Sequence, residues 1–158
     1  MEERHPDMTV RKAFIGDIPM IHELVNAFAV KGEMLGRSRS ELYEGLRDFY
    51  VADQNGMIIG CCALHINWED LAEVRSLAVR EDHQGKGIGK TLVLACLEEA
   101  RQLGIARVYA LTYRADFFRG LGFNRVAKDS LPQKVWGDCL KCPRFPNCDE
   151  DAVILEVG

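Results

Sequence analysis

The sequence predicts a mixed α+β fold in which helices cover a central, mostly antiparallel sheet. Three observations predict it. Apolar residues recur at helical spacing in two separate stretches, one from Ile18 to Phe28 and one around Leu92 and Leu97. Asn55-Gly56 lies between two strand-like runs and supplies the positive φ that a tight hairpin needs. A glycine-rich turn, Gln84-Gly85-Lys86-Gly87-Ile88-Gly89, then joins a strand to the second of those helices.

Taken in order, residues 9–14 read as a first strand, after which Gly16-Asp17 opens a helix carrying Ile18, Ile21, Leu24, Val25 and Phe28. Asp17 is its expected cap, and Pro19 suits its first turn. Ser38 or Ser40 begins a second helix, with Leu42 and Leu46 on one face, that runs out near Asp48. Residues 49–53 and 57–67 form the hairpin, and residues 72–79 pair with it antiparallel. The long helix starts at about Gly87, turns Leu92, Leu94, Ala95 and Leu97 inward, and is stopped by Gly104. Residues 108–112 read as a buried strand, 115–121 as a short helix ended by Gly122, and 152–157 as a closing strand.

A chain of 158 residues is expected to form one domain over 1–158, with a core that needs neither disulfides nor metals. Hydrophobic residues make up 47%, and no apolar run reaches the length of a membrane span, so a soluble protein is expected. Residues 1–8 are polar and carry Glu2, Glu3, Arg4 and Asp7, unlike a signal peptide, which suggests the cytoplasm. The net charge of −4 comes from mixed signs without a basic stripe, so nucleic acid is not an expected partner. His5, His22, His65 and His83 show no paired spacing and are assigned neither metal nor acid–base work.

A strand that flows through a glycine turn into a helix aims free backbone N–H groups at an anion, and the helix dipole favours the negative charge. The same turn could also be a tight connection that binds nothing. Its spacing matches neither the P-loop nor the dinucleotide fingerprint. Leu77-Ala78-Val79 followed by Gln84-Gly85-Lys86-Gly87-Ile88-Gly89 instead resembles the acetyl-CoA signature of the GNAT superfamily, Gln/Arg-x-x-Gly-x-Gly/Ala. The order of elements agrees, as does Phe117-Phe118-Arg119-Gly120-Leu121-Gly122-Phe123. The resemblance implies acetyl-CoA as cosubstrate and a GNAT-like fold in which the strand over 76–79 splays from its neighbour. The backbone of Leu77, Ala78 and Val79 would then meet the pantetheine arm. The amides from Ile88 back to Gln84 would take the pyrophosphate, with Gly89 at the helix start and Phe118 at the cofactor. Lys86 or Lys90 would add charge at the rim, or lie solvated. A homodimer is carried over by analogy.

Acetyl transfer to an amine needs a neutral nitrogen, a polarised carbonyl and a proton for the departing thiolate. Glu73, at the start of the central strand, is the candidate base, although a salt bridge with Arg75 is an alternative. Strand alternation places Glu73, Arg75 and Leu77 on one face. Many GNAT enzymes carry Tyr where this chain has Phe118, which donates no proton, so Tyr113, Ser76 or water must substitute.

Within the superfamily, the segments 71–79 and 111–114 resemble the Ala-Glu-Leu-Ala-Cys strand and Leu-Thr-Thr-Arg segment of N-acetylglutamate synthases, with Ser76 replacing the Cys. Gly36-Arg37-Ser38-Arg39-Ser40-Glu41-Leu42 resembles their Arg-Ser-Arg-x-x-Leu helix start. The resemblance is to the short form, without an amino-acid-kinase-like domain. It implies glutamate as acceptor, in arginine biosynthesis, with Arg37 and Arg114 as carboxylate clamps and Arg75 adding to an anion-friendly site. Another amine or protein terminus as acceptor, or a non-catalytic acyl-CoA sensor, is the alternative.

The six cysteines divide into two groups. Cys61, Cys62 and Cys96 lie in apolar stretches and read as small core residues. Cys139, Cys142 and Cys148 belong to a Cys-rich loop over about 132–150 whose Cys-x-x-Cys spacing suits zinc or a redox pair. Asp149, Asp138 or the distant His65 could serve as a fourth zinc ligand, but the usual second Cys-x-x-Cys or His pair is missing, so no metal is expected to be required. Reduced thiols in a substrate loop, with Lys134 or Lys141 steering an acidic acceptor, are the alternative.

Overall fold

The computed structural model describes residues 8–132 and 150–158. The three cysteines of the C-terminal loop and its lysines lie outside them. Among the described residues, strands β1 (Met8–Lys12), β2 (Phe49–Gln54), β3 (Met57–Trp68), β4 (Leu71–Val79), β5 (Arg107–Thr112), β6 (Asn124–Val126) and β7 (Asp151–Glu156) form one sheet. Its order is β1-β2-β3-β4-β5-β7-β6, and all neighbours run antiparallel except the parallel pair β4 and β5.

Helices cover both faces. Helix α3 (Ile88–Leu103) and α4 (Ala115–Arg119) pack on one face against Ile59, Cys62, Leu64, Val74, Val108 and Val153. On the other face, α1 (Ile18–Val30) and α2 (Arg39–Glu44) pack against Phe49, Val51, Ile58, Cys61, Ala63 and Ala78. The α1 stripe Ile18, Ile21, Leu24, Val25 and Phe28 is buried as its spacing requires. Each such side chain contributes roughly 1.5–3 kcal/mol of burial, far more than the tenths of a kcal/mol by which helix propensities differ.

Several boundaries differ from the sequence reading for local reasons. β1 ends at Lys12, and Ile15–Asp17 form a 3-10 turn before α1. Asp17 occupies the N-cap position of α1 as expected, but with its backbone helical its side chain makes no capping hydrogen bond there; its carboxylate accepts from Phe14 N–H at 2.7 Å and from Arg11 at 2.8 Å. Ser38, not Ser40, caps α2 in a reciprocal capping box with Glu41. That helix ends at Glu44, and Leu46 lies in a following 3-10 turn. In α3 the inward stripe is Leu92, Val93, Cys96, Leu97 and Ala100, whereas Leu94 is exposed. The short strand β6 has no counterpart in the sequence reading.

The feature that shapes the site is the separation of β4 from β5. They pair only at Leu71–Arg107, Ala72–Val108 and Glu73–Tyr109, and from Val74 onward β4 has no strand partner on that side among the described residues. Between the pairs Ala63–Arg75 and Cys61–Ala78, β3 spends one residue and β4 spends two, Ser76 and Leu77. This is a β-bulge, which bends and twists the strand that carries it, and Ser76 adopts φ +54° to form it. The bulge also inverts the alternation. Ala72, Val74 and Leu77 face α3, while Ala78 faces α1. Leu77 therefore lies on the opposite face from Glu73 and Arg75, correcting the simple period-two expectation.

Candidate active site

The divergence of β4 and β5 opens a cleft of about 1020 Å³, lined by both strands, by the turn before α3, by the segment after α1 and by α4. At one end stands the N-terminus of α3. Gly60 on β3 lets it approach, since a Cβ there would come within 3.1 Å of Leu92 and 3.4 Å of Ile88. Gly87 at the helix start has φ +82°, and no side chain caps the helix. The Thr91 amide and hydroxyl both donate to the Gly87 carbonyl, at 3.1 and 3.0 Å. The first-turn N–H groups of Ile88, Gly89 and Lys90 have no acceptor within the helix, the arrangement that favours an anion. Gln84 donates its side-chain amide to the Val79 carbonyl at 3.0 Å, tying the turn to the end of β4.

The sequence-predicted residues Leu77, Ala78, Val79, Gln84, Gly85, Gly87, Ile88, Gly89, Lys90 and Phe118 all line this cleft, whereas Lys86 is not among its lining residues. Phe118 contributes to its wall from a buried position, edge-on to Phe117 and Phe123 with ring centroids 5.1 Å apart. Phe117, unassigned from the sequence, also lines the cleft, with its ring lying over Gly89.

At the other end the cleft gathers Glu73, Arg75, Ser76, Tyr113, Arg114 and Arg37. The Glu73 carboxylate accepts from the buried Tyr109 hydroxyl at 3.4 Å and stands 3.7 Å from the Arg75 guanidinium. The base candidate and the salt-bridge alternative therefore coexist in one residue. Arg37, with a side chain only 10% exposed, has its guanidinium 3.5 Å from the Glu41 carboxylate and is also fixed through its backbone. The Asn26 side chain of α1 accepts from Arg37 N–H at 3.2 Å and donates to Arg37 C=O at 2.9 Å. Arg114, 66% exposed, lies 3.9 Å from Glu33 of the segment after α1, while Lys31 of that segment pairs with Glu81 beside the glycine turn. This segment is thus paired to Arg114 of the cleft wall and to Glu81 next to the glycine turn.

Cys61, Cys62 and Cys96 are buried and free, as expected of core residues. Cys61 does more than fill space: its thiol donates to the Ser76 carbonyl at 3.4 Å. Burial pushes its pKa up to about 12, against an opposing hydrogen bond from the Ala78 backbone. Neither this contact nor the Asn26 clamp had a signal in the sequence, since both depend on register between distant segments. No cluster of metal-ligating side chains occurs among the described residues. Nor is any described helix long and apolar enough to cross a membrane.

Residues 18–123 match the acetyltransferase (GNAT) family. An uncharacterized N-acetyltransferase of Chlorobaculum tepidum is 40% identical over 148 residues, covering 94% of this chain and 96% of that protein. An amino-acid acetyltransferase of Mycobacterium tuberculosis is 37% identical over 146 residues, covering 89% and 83%. Among solved structures, the N-acetylglutamate synthase of Neisseria gonorrhoeae complexed with coenzyme A and N-acetyl-glutamate aligns with TM-score 0.87 and 28% identity. That alignment covers 98% of this chain and 36% of the longer synthase.

Proposed function

This chain belongs to the acetyltransferase (GNAT) family, and from that premise we propose that it is an N-acetyltransferase that moves the acetyl group of acetyl-CoA to the α-amino group of L-glutamate. The observation that carries the glutamate reading is that three arginines, Arg37, Arg75 and Arg114, line the cleft that also holds Glu73. Guanidinium forks suit an acceptor with two carboxylates, whereas a polyamine would want an acidic pocket. The amino-acid acetyltransferase and N-acetylglutamate synthase relatives support the same reading. On this reading the reaction belongs to arginine biosynthesis and runs in the cytoplasm.

The residues present fit the cosubstrate. The uncapped α3 terminus suits a diphosphate, and the unpaired β4 edge suits an amide-bearing arm. Bound there, acetyl-CoA supplies an activated acetyl thioester. The chain's own residues would do the rest. Arg37 and Arg114 hold the acceptor carboxylates. Glu73 takes a proton from the ammonium group, leaving a nitrogen able to attack. The Leu77 N–H, beside the bulge, polarises the thioester carbonyl. As the new C–N bond forms and the C–S bond breaks, the Tyr113 hydroxyl protonates the thiolate and is reset by the proton shed from nitrogen. Ser76 is the alternative donor.

Thiol release from acetyl-CoA with glutamate, run beside aspartate, glutamine, lysine and spermidine and with product mass checked, tests the proposal. Glutamate should be the preferred acceptor. Arg114→Ala should raise the glutamate KM by about 10- to 100-fold, the loss of one charge-assisted contact. Glu73→Gln should lower kcat by about 100-fold or more. Preferred turnover of a cationic amine would overturn the carboxylate clamp while leaving the acetyltransferase assignment intact.

A further inference from the structure

The left-handed backbone at Ser76 is the least ordinary conformation in the sheet. Among the described residues only one other non-glycine, Asn55 in the hairpin turn, has positive φ, and Asn tolerates it far better than Ser. Such a conformation persists where its surroundings hold it. What holds it here includes the fully buried thiol of Cys61 on the neighbouring strand, which donates to the Ser76 carbonyl at 3.4 Å. A trans peptide points its C=O and its N–H in opposite directions. Whatever fixes the Ser76 carbonyl therefore fixes the direction of the Leu77 N–H, away from the thiol.

We propose that Cys61 is a positioning residue for acyl transfer: by holding the Ser76 carbonyl it aims the Leu77 N–H at the thioester carbonyl. The inference rests on the acetyltransferase reading of the cleft but not on the identity of the acceptor. Cys61 touches no substrate, and its sulfur stays protonated and able to donate at neutral pH because it is buried.

The test compares wild type with Cys61→Ala and Cys61→Ser by steady-state kinetics and by the 13C resonance of carbonyl-labelled acetyl-CoA bound without an acceptor. Cys61→Ala should lower kcat about tenfold, less than outright loss of an oxyanion donor, while leaving the acetyl-CoA KM within about twofold. It should also move the bound carbonyl resonance toward its value in free solution. Cys61→Ser, which retains a donor, should recover most of both effects. A lower melting temperature with unchanged kcat and carbonyl resonance would reduce Cys61 to packing and overturn the proposal. The resonance is read without an acceptor, so failure of glutamate as substrate leaves this test decisive. If Cys61→Ala does not fold, a Cys61→Ser protein with wild-type resonance supports the proposal, and one with the free-solution value overturns it.

Discussion

Ser76 has a side chain where the backbone would suit glycine, and that mismatch predicts how substitutions there will behave. A left-handed conformation costs an ordinary residue roughly 1–2 kcal/mol, and a β-branched residue suffers most. Ser76→Gly should therefore leave stability unchanged or raise it by up to about 1 kcal/mol, whereas Ser76→Val should lower it by about 2 kcal/mol. Urea unfolding of the two variants checks both. Asp17 predicts a pH effect. Burial of its carboxylate works to raise its pKa, but hydrogen bonds from Arg11 and the Phe14 N–H, with the Arg11 charge, outweigh burial and lower it. A depressed folded pKa gives stability that is present above the unfolded value of about 3.9 and fades as pH falls through the folded value. The stability gap between wild type and Asp17→Asn should thus be constant near neutrality and close below about pH 4.

Two glycines set the start of α3 by different means, and their alanine variants should separate those means. At Gly87 a Cβ would meet nothing within 4 Å, so Gly87→Ala carries the strain of φ +82° alone, about 1 kcal/mol. At Gly60 a Cβ would press on Leu92 at 3.1 Å and on the Ala78 carbonyl at 3.3 Å, so the helix must shift against the strand. Gly60→Ala should weaken coenzyme A binding more than Gly87→Ala at equal loss of stability, which calorimetric titration of both would show. These elements also mark where the sequence was legible. Strand, glycine turn and helix could be read in order because each has its own local chemistry: alternation, positive φ and helical periodicity. The bulge could not, since Arg75-Ser76-Leu77 contains no glycine and reads as unbroken strand. Arg37, Arg114 and Glu73 could be assigned to one site only by resemblance, because they come from segments far apart in the chain. Asn26 and Cys61, which act on backbone groups across the fold, left no mark in the sequence at all.

At the scale of the molecule, the cleft divides a sheet whose halves meet along only three paired positions of β4 and β5. A cosubstrate that bridges the two halves should stabilise the whole. At one hundred times its Kd, coenzyme A should add about 2.7 kcal/mol and raise Tm by roughly 5–10 °C. A shift that shrinks more in Gly60→Ala than in Gly87→Ala, at similar apo Tm, would locate that gain at the α3 terminus. The sheet order has a further consequence for how the chain is made. β7 follows every other strand in sequence yet lies inside the sheet, between β5 and β6. While the ribosome is still adding residues 151–156, β5 has an unpaired edge and β6 has no neighbour at all. The nascent chain can pair β1 through β4 early, but it must keep β5 from pairing with another chain until residues 151–156 have been added.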